Sequence, residues 1–109
     1  MKIDFDAIEE IRFPAFKGGE GTMVAKMYVD DTIRILKGYL EKDSSIGMHT
    51  HDGSSETVYI LSGKGKMIYD GIEETLEAGA VSYCPEGHAH SLVNTGEEPL
   101  VFLGVVPNV

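Results

Sequence analysis

Turn residues recur along this chain at intervals too short for helices, and that spacing most constrains its fold. Beyond residue 22, clusters of Gly, Pro, Asn, Asp and Ser separate short segments rich in Val, Ile, Leu and Tyr. The segments typical of strands are Val24–Val29, Thr32–Glu41, Thr57–Leu61, Lys66–Tyr69, Ile72–Glu77, Ala80–Cys84, His90–Val93 and Leu100–Val106. Asp70-Gly71, between two of them, is typical of a tight hairpin turn. About eight short strands with closely spaced turns predict an all-β sandwich or barrel.

The chain of 109 residues predicts one domain, large enough to form a core without disulfide bonds. Residues 23–109 contain the strand pattern and are assigned to the barrel. Residues 1–22 are less regular: Phe5, Ile8 and Ile11 would share one face of a short helical turn, or the segment would form an edge strand or a dimer arm.

Charge and cysteine content exclude several classes of partner and location. The formal net charge of −9 argues against nucleic acid and against an anionic membrane surface, because both are bound by basic surfaces. Cys84 is the single cysteine, so no intramolecular disulfide forms, as expected in a reducing compartment. The first residues include acids where a signal peptide is apolar, and no run of 18 apolar residues occurs. These features predict a cytoplasmic protein.

The four histidines form two pairs with the same spacing, His49 with His51 and His88 with His90. Residues two apart on a strand point to the same face, so His49 and His51 would both point inward if residues 46–51 are extended. His90 would share its face with Leu92, toward an apolar interior.

Glu56 begins a predicted strand in phase with Val58 and Ile60, which places its carboxylate on the buried face. A buried charge is costly unless it is paired or bound to a cation. A metal held by Glu56 and nearby imidazoles would supply that cation, and such donors suit Mn, Fe, Co, Ni, Cu or Zn better than Ca or Mg. The alternative is a set of buried histidines and a hydrogen-bonded carboxylate that bind no metal.

Two motifs resemble those of the cupin superfamily. In the first, His49-Thr50-His51 is followed after four residues by Glu56 and after six more by Gly63. The second matches at every defined position, and its residues are Gly79, Pro85, Gly87, His90 and Asn94. One departure is Asp43, which stands where the first motif usually opens with a glycine. Glycine there is a turn residue, so the departure concerns the shape of the loop.

The resemblance implies a single-domain cupin fold, a double-stranded β-helix or jelly-roll barrel. It also implies one divalent transition metal ion bound by His49, His51, Glu56 and His90. His88 is a weak candidate for a fifth ligand or a proton shuttle; the alternative is a partly exposed loop histidine. Candidates to line the cavity are Tyr39, Met48, Ile60, Met67, Leu92 and Phe102, and core packing is the favoured interpretation of each.

Three functions are consistent with this resemblance. The first is a small metalloenzyme of dioxygenase, decarboxylase or isomerase type that acts on a small oxygenated or acidic molecule. The second is a non-catalytic, metal-dependent binding or sensor module for a small molecule. The third is a barrel with a purely structural metal. A homodimer is expected by analogy with small cupins.

Overall fold

Two antiparallel sheets form the protein in a computed structural model that describes residues 1–109. The ten strands are β1 (Ile11–Pro14), β2 (Thr22–Val29), β3 (Ile33–Leu40), β4 (His49–Thr50), β5 (Glu56–Ser62), β6 (Lys64–Tyr69), β7 (Ile72–Glu77), β8 (Val81–Cys84), β9 (Ala89–Asn94) and β10 (Leu100–Pro107). Short 3₁₀ turns cover Phe5–Ala7 and Phe16–Gly18. None of the helical segments is long and apolar enough to cross a membrane. The all-β prediction is confirmed.

Strand order places the two halves of the candidate site on different sheets. The larger sheet has the order β1-β2-β3-β10-β5-β8, and the smaller one β4-β9-β6-β7. Side chains alternate between the two faces of each strand, and on β3 the buried positions are Leu36, Gly38 and Leu40. The core lies between the sheets and includes Ile60 and Phe102. Burial of each large apolar side chain stabilises this arrangement by roughly 1.5–3 kcal/mol.

The predicted strands are found with their ends shifted by one or two residues, and Ile72–Glu77 matches at both ends. The extended segment 46–51 is less regular than predicted, since only His49–Thr50 forms ladder pairs. The segment nevertheless lies alongside β9, because the amide of Ile46 donates to the carbonyl of Leu92 (2.8 Å). In the N-terminal region a 3₁₀ turn covers Phe5–Ala7, and β1 forms an edge strand that pairs with β2 of its own chain.

Two aspartates adopt the left-handed conformation that favours glycine. Asp70 and Gly71 have φ values of 47° and 81°, as the hairpin prediction requires. Asp43 has a φ of 62° at the position where the resembling motif has glycine. Aspartate tolerates this region better than most residues, so the turn keeps the glycine-type conformation without a glycine.

The loop of residues 15–21 packs onto residues 44–47, which lead into β4. The amide of Gly47 donates to the carbonyl of Phe16 (3.0 Å), and the amide of Ser45 donates to the carbonyl of Glu20 (2.9 Å). The two segments approach so closely that a Cβ at Gly47 would lie 2.0 Å from the carbonyl oxygen of Lys17. Gly47 therefore permits the contact that positions the chain just before His49.

We predict that Gly47→Ala destabilises the protein by at least about 1–3 kcal/mol, because the added methyl group cannot fit without backbone movement. Urea denaturation followed by circular dichroism measures this change. Gly96→Ala is the matched control: its Cβ would have no neighbour nearer than 3.5 Å, so its effect should stay below about 1 kcal/mol. Equal effects of the two substitutions would contradict the proposed contact.

Candidate metal centre

The three cluster histidines come from the smaller sheet and Glu56 from the larger one. His49 on β4 lies directly opposite His90 on β9, so the two side chains share a face. His51 follows β4 and is hydrogen-bonded to the loop between β8 and β9, because its amide donates to the carbonyl of His88 (3.0 Å). Glu56 is the first residue of β5. Closure of the two sheets brings the four residues together.

The inward-pointing atoms of the cluster are in van der Waals or hydrogen-bonding contact. His90 Nε2 lies 2.9 Å from His51 Nε2, 3.1 Å from His49 Nε2 and 3.0 Å from Glu56 Oε1. The distance from His51 Nε2 to Glu56 Oε1 is 3.2 Å. All four ligand atoms lie within 4.8 Å of one another. The arrangement is thus a compact N₃O donor set.

Burial and charge act in opposite directions on Glu56, whose side chain is only 12% exposed. Burial by itself would raise the pKa of this carboxyl. Hydrogen bonds and positive charge from His51 and His90 outweigh that effect and lower the pKa to about 2. Glu56 is therefore ionised at neutral pH and contributes a negative charge to the donor set.

The outer ring nitrogens of two histidines are held by hydrogen bonds. His49 Nδ1 lies 2.8 Å from the carbonyl oxygen of Gly47, and His51 Nδ1 lies 3.0 Å from Ser54 Oγ. A carbonyl oxygen only accepts, so His49 Nδ1 carries a proton. Burial lowers the pKa of His49, which favours a neutral ring whose Nε2 lone pair faces the cluster. His90 Nδ1 is buried without a hydrogen-bond partner.

Protons alone cannot satisfy the contacts of His90 Nε2. Each ring nitrogen carries either one proton or one lone pair. A hydrogen bond to the lone pair of His49 requires a proton on His90 Nε2, whereas accepting one from His51 requires a lone pair on the same atom. A single cation between the side chains could accept lone pairs from all three rings and from Glu56. The donor set therefore fits a metal ion better than it fits a network of hydrogen bonds.

A cavity of about 440 Å³ opens beside the cluster. His49, His51 and Glu56 line it, while His90 is 3% exposed and lies behind them. Of the six candidates for the cavity wall, only Phe102 lines it. Ile60, Met67 and Leu92 instead fill the closed part of the core. The cavity occupies one end of the space between the sheets, which strand alternation alone does not locate.

His88 lies outside the cluster although it is only two residues from His90. Its Nδ1 contacts Asp70 Oδ2 at 2.5 Å and the Tyr69 hydroxyl at 3.1 Å, and its ring stacks on that of Tyr69. Its side chain is 43% exposed and does not line the cavity. The hydrogen bond from His88 lowers the pKa of Asp70. The side chain of His88 therefore contacts the β6–β7 hairpin and not the donor atoms.

Several residues that support the site carry no sequence signal of their own. Gly104 on β10 leaves room for Glu56, because a Cβ there would lie 3.1 Å from Glu56 Oε2. Gly47 and Ser54 orient His49 and His51, as described above. The alternation on β10 could have placed Gly104 on the inner face with Phe102, but not beside Glu56.

Cys84 lies opposite Glu56 across the β5–β8 pair and is fully buried. Burial raises the pKa of its thiol to about 11, with smaller contributions from the carboxylates of Glu56 and Asp70. Since the thiolate is the nucleophile, this environment makes Cys84 an unreactive core residue.

We predict that iodoacetamide at pH 8 modifies Cys84 much more slowly in the folded protein than in urea, as measured by mass spectrometry. Because the folded pKa lies above the ordinary 9.0, burial of the neutral thiol stabilises the fold fully below pH 9. This contribution decreases as the pH rises toward 11. Equal labelling rates in the two states would contradict an unreactive thiol.

Comparisons with known proteins agree with this geometry. The oxalate-binding protein of Thermotoga maritima is 33% identical in an alignment of 112 positions that covers 97% of this chain and 93% of that protein. Oxalate decarboxylase OxdC of Bacillus subtilis is 40% identical over 71% of this chain, and glucose-6-phosphate isomerase of Thermococcus onnurineus is 38% identical over 54% of it. This chain spans only 21% and 34% of the lengths of those two relatives.

A solved structure and a family model also match this chain. The crystal structure of a predicted oxalate decarboxylase from Thermotoga maritima superposes with a TM-score of 0.93 at 29% identity, over the full length of both chains. The family model described as the cupin domain matches residues 35–106, which include all four residues of the donor set. The chain is therefore a small member of the cupin family.

Proposed function

We propose that the protein holds a divalent transition metal through His49, His51, His90 and Glu56, and binds a small carboxylic acid at that ion. The observation that supports this most directly is the convergence of three imidazole Nε2 atoms and one ionised carboxylate beside an open cavity. The oxalate-related names of two relatives suggest the class of acid.

The spacing of the donor atoms supports a metal ion. Two ligand atoms about 2.1 Å from one ion and at right angles to each other are about 3.0 Å apart, and the closest contacts here are 2.9–3.2 Å. Imidazole and carboxylate donors suit Mn, Fe, Co, Ni, Cu or Zn. Which of these is bound depends on metal availability as well as affinity, so the proposal extends to the donor set and not to one element.

The residues of the chain would prepare the site before an acid arrives. Gly47 and Ser54 hold the His49 and His51 rings with Nε2 directed inward, and Glu56 is already ionised. A bound ion would polarise the carboxylate oxygens of the ligand and, if redox-active, could exchange electrons with it. The cavity next to His49, His51 and Glu56 gives the acid access to one side of the donor set.

Turnover of the bound acid is the second candidate function. Catalytic metal sites keep a position open, whereas structural sites are closed by protein ligands. The cavity beside the donor set therefore favours a small metalloenzyme of dioxygenase, decarboxylase or isomerase type over a structural metal. A binding or sensor module would have the same geometry, so measured turnover distinguishes the two.

We predict close to one metal ion per chain in protein purified without an affinity tag, measured by plasma mass spectrometry. His51→Ala and Glu56→Gln should each lose most of the metal, because the first removes a donor atom and the second replaces the anionic carboxylate with a neutral amide. His88→Ala is the matched control, since it removes a nearby histidine outside the donor set. It should keep the metal.

The same proteins test the binding of an acid. Oxalate should bind the metal-loaded wild type and His88→Ala in isothermal titration calorimetry, and should not bind after the metal is removed with a chelator. No metal in the wild type, even after reconstitution, would contradict the proposal. Oxalate binding that is equally tight without metal would contradict the assignment of the acid to the ion.

We also propose a homodimer formed through the outer face of the larger sheet. Four large apolar side chains on β5 and β8 are 39–60% exposed on that one face: Tyr59, Leu61, Val81 and Tyr83. Contiguous apolar patches on a protein surface often mark interfaces, and a patch that meets its own copy gives a closed two-fold dimer.

Light scattering at micromolar concentration should therefore give about twice the chain mass of 11.9 kDa. Tyr83→Lys should shift the protein toward monomer, because it places a charge in the apolar patch. Ile72→Lys is the control: Ile72 is 64% exposed but lies on the smaller sheet. A monomeric wild type would refute the dimer, and equal effects of both substitutions would refute the location of the interface.

A further inference from the structure

Arg34 is the only arginine that lines the cavity. On β3 it has the same phase as Leu36, which points into the space between the sheets. Its cross-strand partners are Val29 on β2 and Val106 on β10, and both also line the cavity. Directly opposite residues share a face of the sheet, so the Arg34 side chain belongs to the cavity wall.

The guanidinium of Arg34 has no carboxylate partner in the protein. The three ion pairs made by lysine or arginine are Arg12–Glu41, Lys42–Glu97 and Lys66–Glu73. Asp30 also lines the cavity, but its carboxylate is hydrogen-bonded to neighbouring residues of its own turn. It accepts hydrogen bonds from the amides of Thr32 and Ile33 and from the Tyr28 hydroxyl, and these bonds lower its pKa. Asp52 and Glu56 of the donor set are the other acids of the wall, and neither forms an ion pair with Arg34.

Arg34 lies farther along the barrel than the donor set. Glu56 Oε2 is next to Gly104, which pairs with Leu36, whereas Arg34 pairs with Val106. Two residues along a strand correspond to about 7 Å. The apolar residues of the wall include Met27 and Leu36 at the level of Gly104, and Val29 and Val106 at the level of Arg34. The cavity therefore has the Glu56 carboxylate at one level, apolar side chains at both levels, and the backbone position of Arg34 one inward-facing residue, about 7 Å, farther along the strand.

We propose that Arg34 binds a second anionic group of the ligand, so that the preferred ligands are acids with a carboxylate at each end of a short apolar chain. This inference rests on the proposed binding of an acid at the metal. The guanidinium presents a planar set of donors that matches a carboxylate. The two adjacent carboxylates of oxalate are too close together to occupy both levels, and a cavity of about 440 Å³ has room for a larger acid.

Lys17 is the other cation of the wall, and its position favours Arg34 as the anchor. Its ammonium group lies 5.6 Å from the centroid of the Phe16 ring, within the range of a cation–π contact. Lys17 also belongs to the loop of residues 15–21, whereas Arg34 is anchored between two strands. A rigid strand holds a recognition group more firmly than a loop does.

The test compares 2-oxoglutarate with 2-oxopentanoate by calorimetry on metal-loaded protein. The two acids have the same metal-binding end and chain length, but only the first has a distal carboxylate. The wild type should bind 2-oxoglutarate about 10-fold tighter or more, as expected for charge-assisted hydrogen bonds. Arg34→Gln should abolish this preference and leave the affinity for 2-oxopentanoate within about twofold.

Two control variants separate Arg34 from other cations. Arg12→Gln changes an exposed arginine paired with Glu41 outside the cavity, and it should keep the preference. Lys17→Gln should also keep it. A preference lost in Lys17→Gln but retained in Arg34→Gln would overturn the assignment, as would a wild type that binds the two acids equally.

The experiment also distinguishes failure of this inference from failure of the proposed function. If metal-loaded wild type binds oxalate and both oxo acids with no preference for the distal carboxylate, the role of Arg34 is refuted and the metal-dependent acid site stands. If the metal is retained but none of these acids binds, the proposed function is refuted and the role of Arg34 with it.

Discussion

The crowding of three imidazole nitrogens and one carboxylate at a single point is the constraint on which the rest of the structure depends. His90 Nε2 lies within 3.1 Å of three other donor atoms, and its single proton or lone pair cannot satisfy them all. Such a group is costly in a buried site unless a cation balances it. The surrounding strands hold the four side chains in this arrangement, so a metal ion bound there would stabilise the barrel.

Placement of these atoms depends on pairing within and between the two sheets. The β4–β9 register puts His49 opposite His90, and a slip of one residue would turn one of the two rings to the other face. Glu56 reaches the cluster from the larger sheet, where Gly104 leaves space beside its carboxylate. A chain of backbone contacts then runs from Phe16 through Gly47 to the ring of His49. The N-terminal loop is therefore part of the support of the site.

Charge divides the cavity into two ends with different chemistry. The donor set carries the ionised Glu56, and a divalent ion there would leave net positive charge available to an acid. Arg34 contributes a second positive charge farther along the wall, and the nearby Asp30 is already engaged by its own turn. A protein with a net charge of −9 can in this way present a local site for anions.

Local chemistry in the sequence was sufficient to predict the strands and the turn at Asp70-Gly71, and the resemblance to cupins implied the four residues of the donor set. Strand alternation has a period of two, so the phase of His49, His51, Glu56 and His90 could be derived without a structure. Their spacing also carried the resemblance to cupins, which the family match to residues 35–106 confirmed. These features depend on neighbours within a few residues, and for that reason the sequence alone determined them.

Only the tertiary structure decided what surrounds the donor set. The positions of Arg34, Gly104 and the loop of residues 15–21 depend on contacts between segments distant in the chain. The same is true of His88, which has the spacing of a ligand but pairs with Asp70 on the neighbouring hairpin. Five of the six candidates for the cavity wall lie outside it, with Ile60, Met67 and Leu92 in the closed core, because alternation assigns a side chain to a face of a sheet but not to a level along the barrel. That level is set by how the two sheets close on each other.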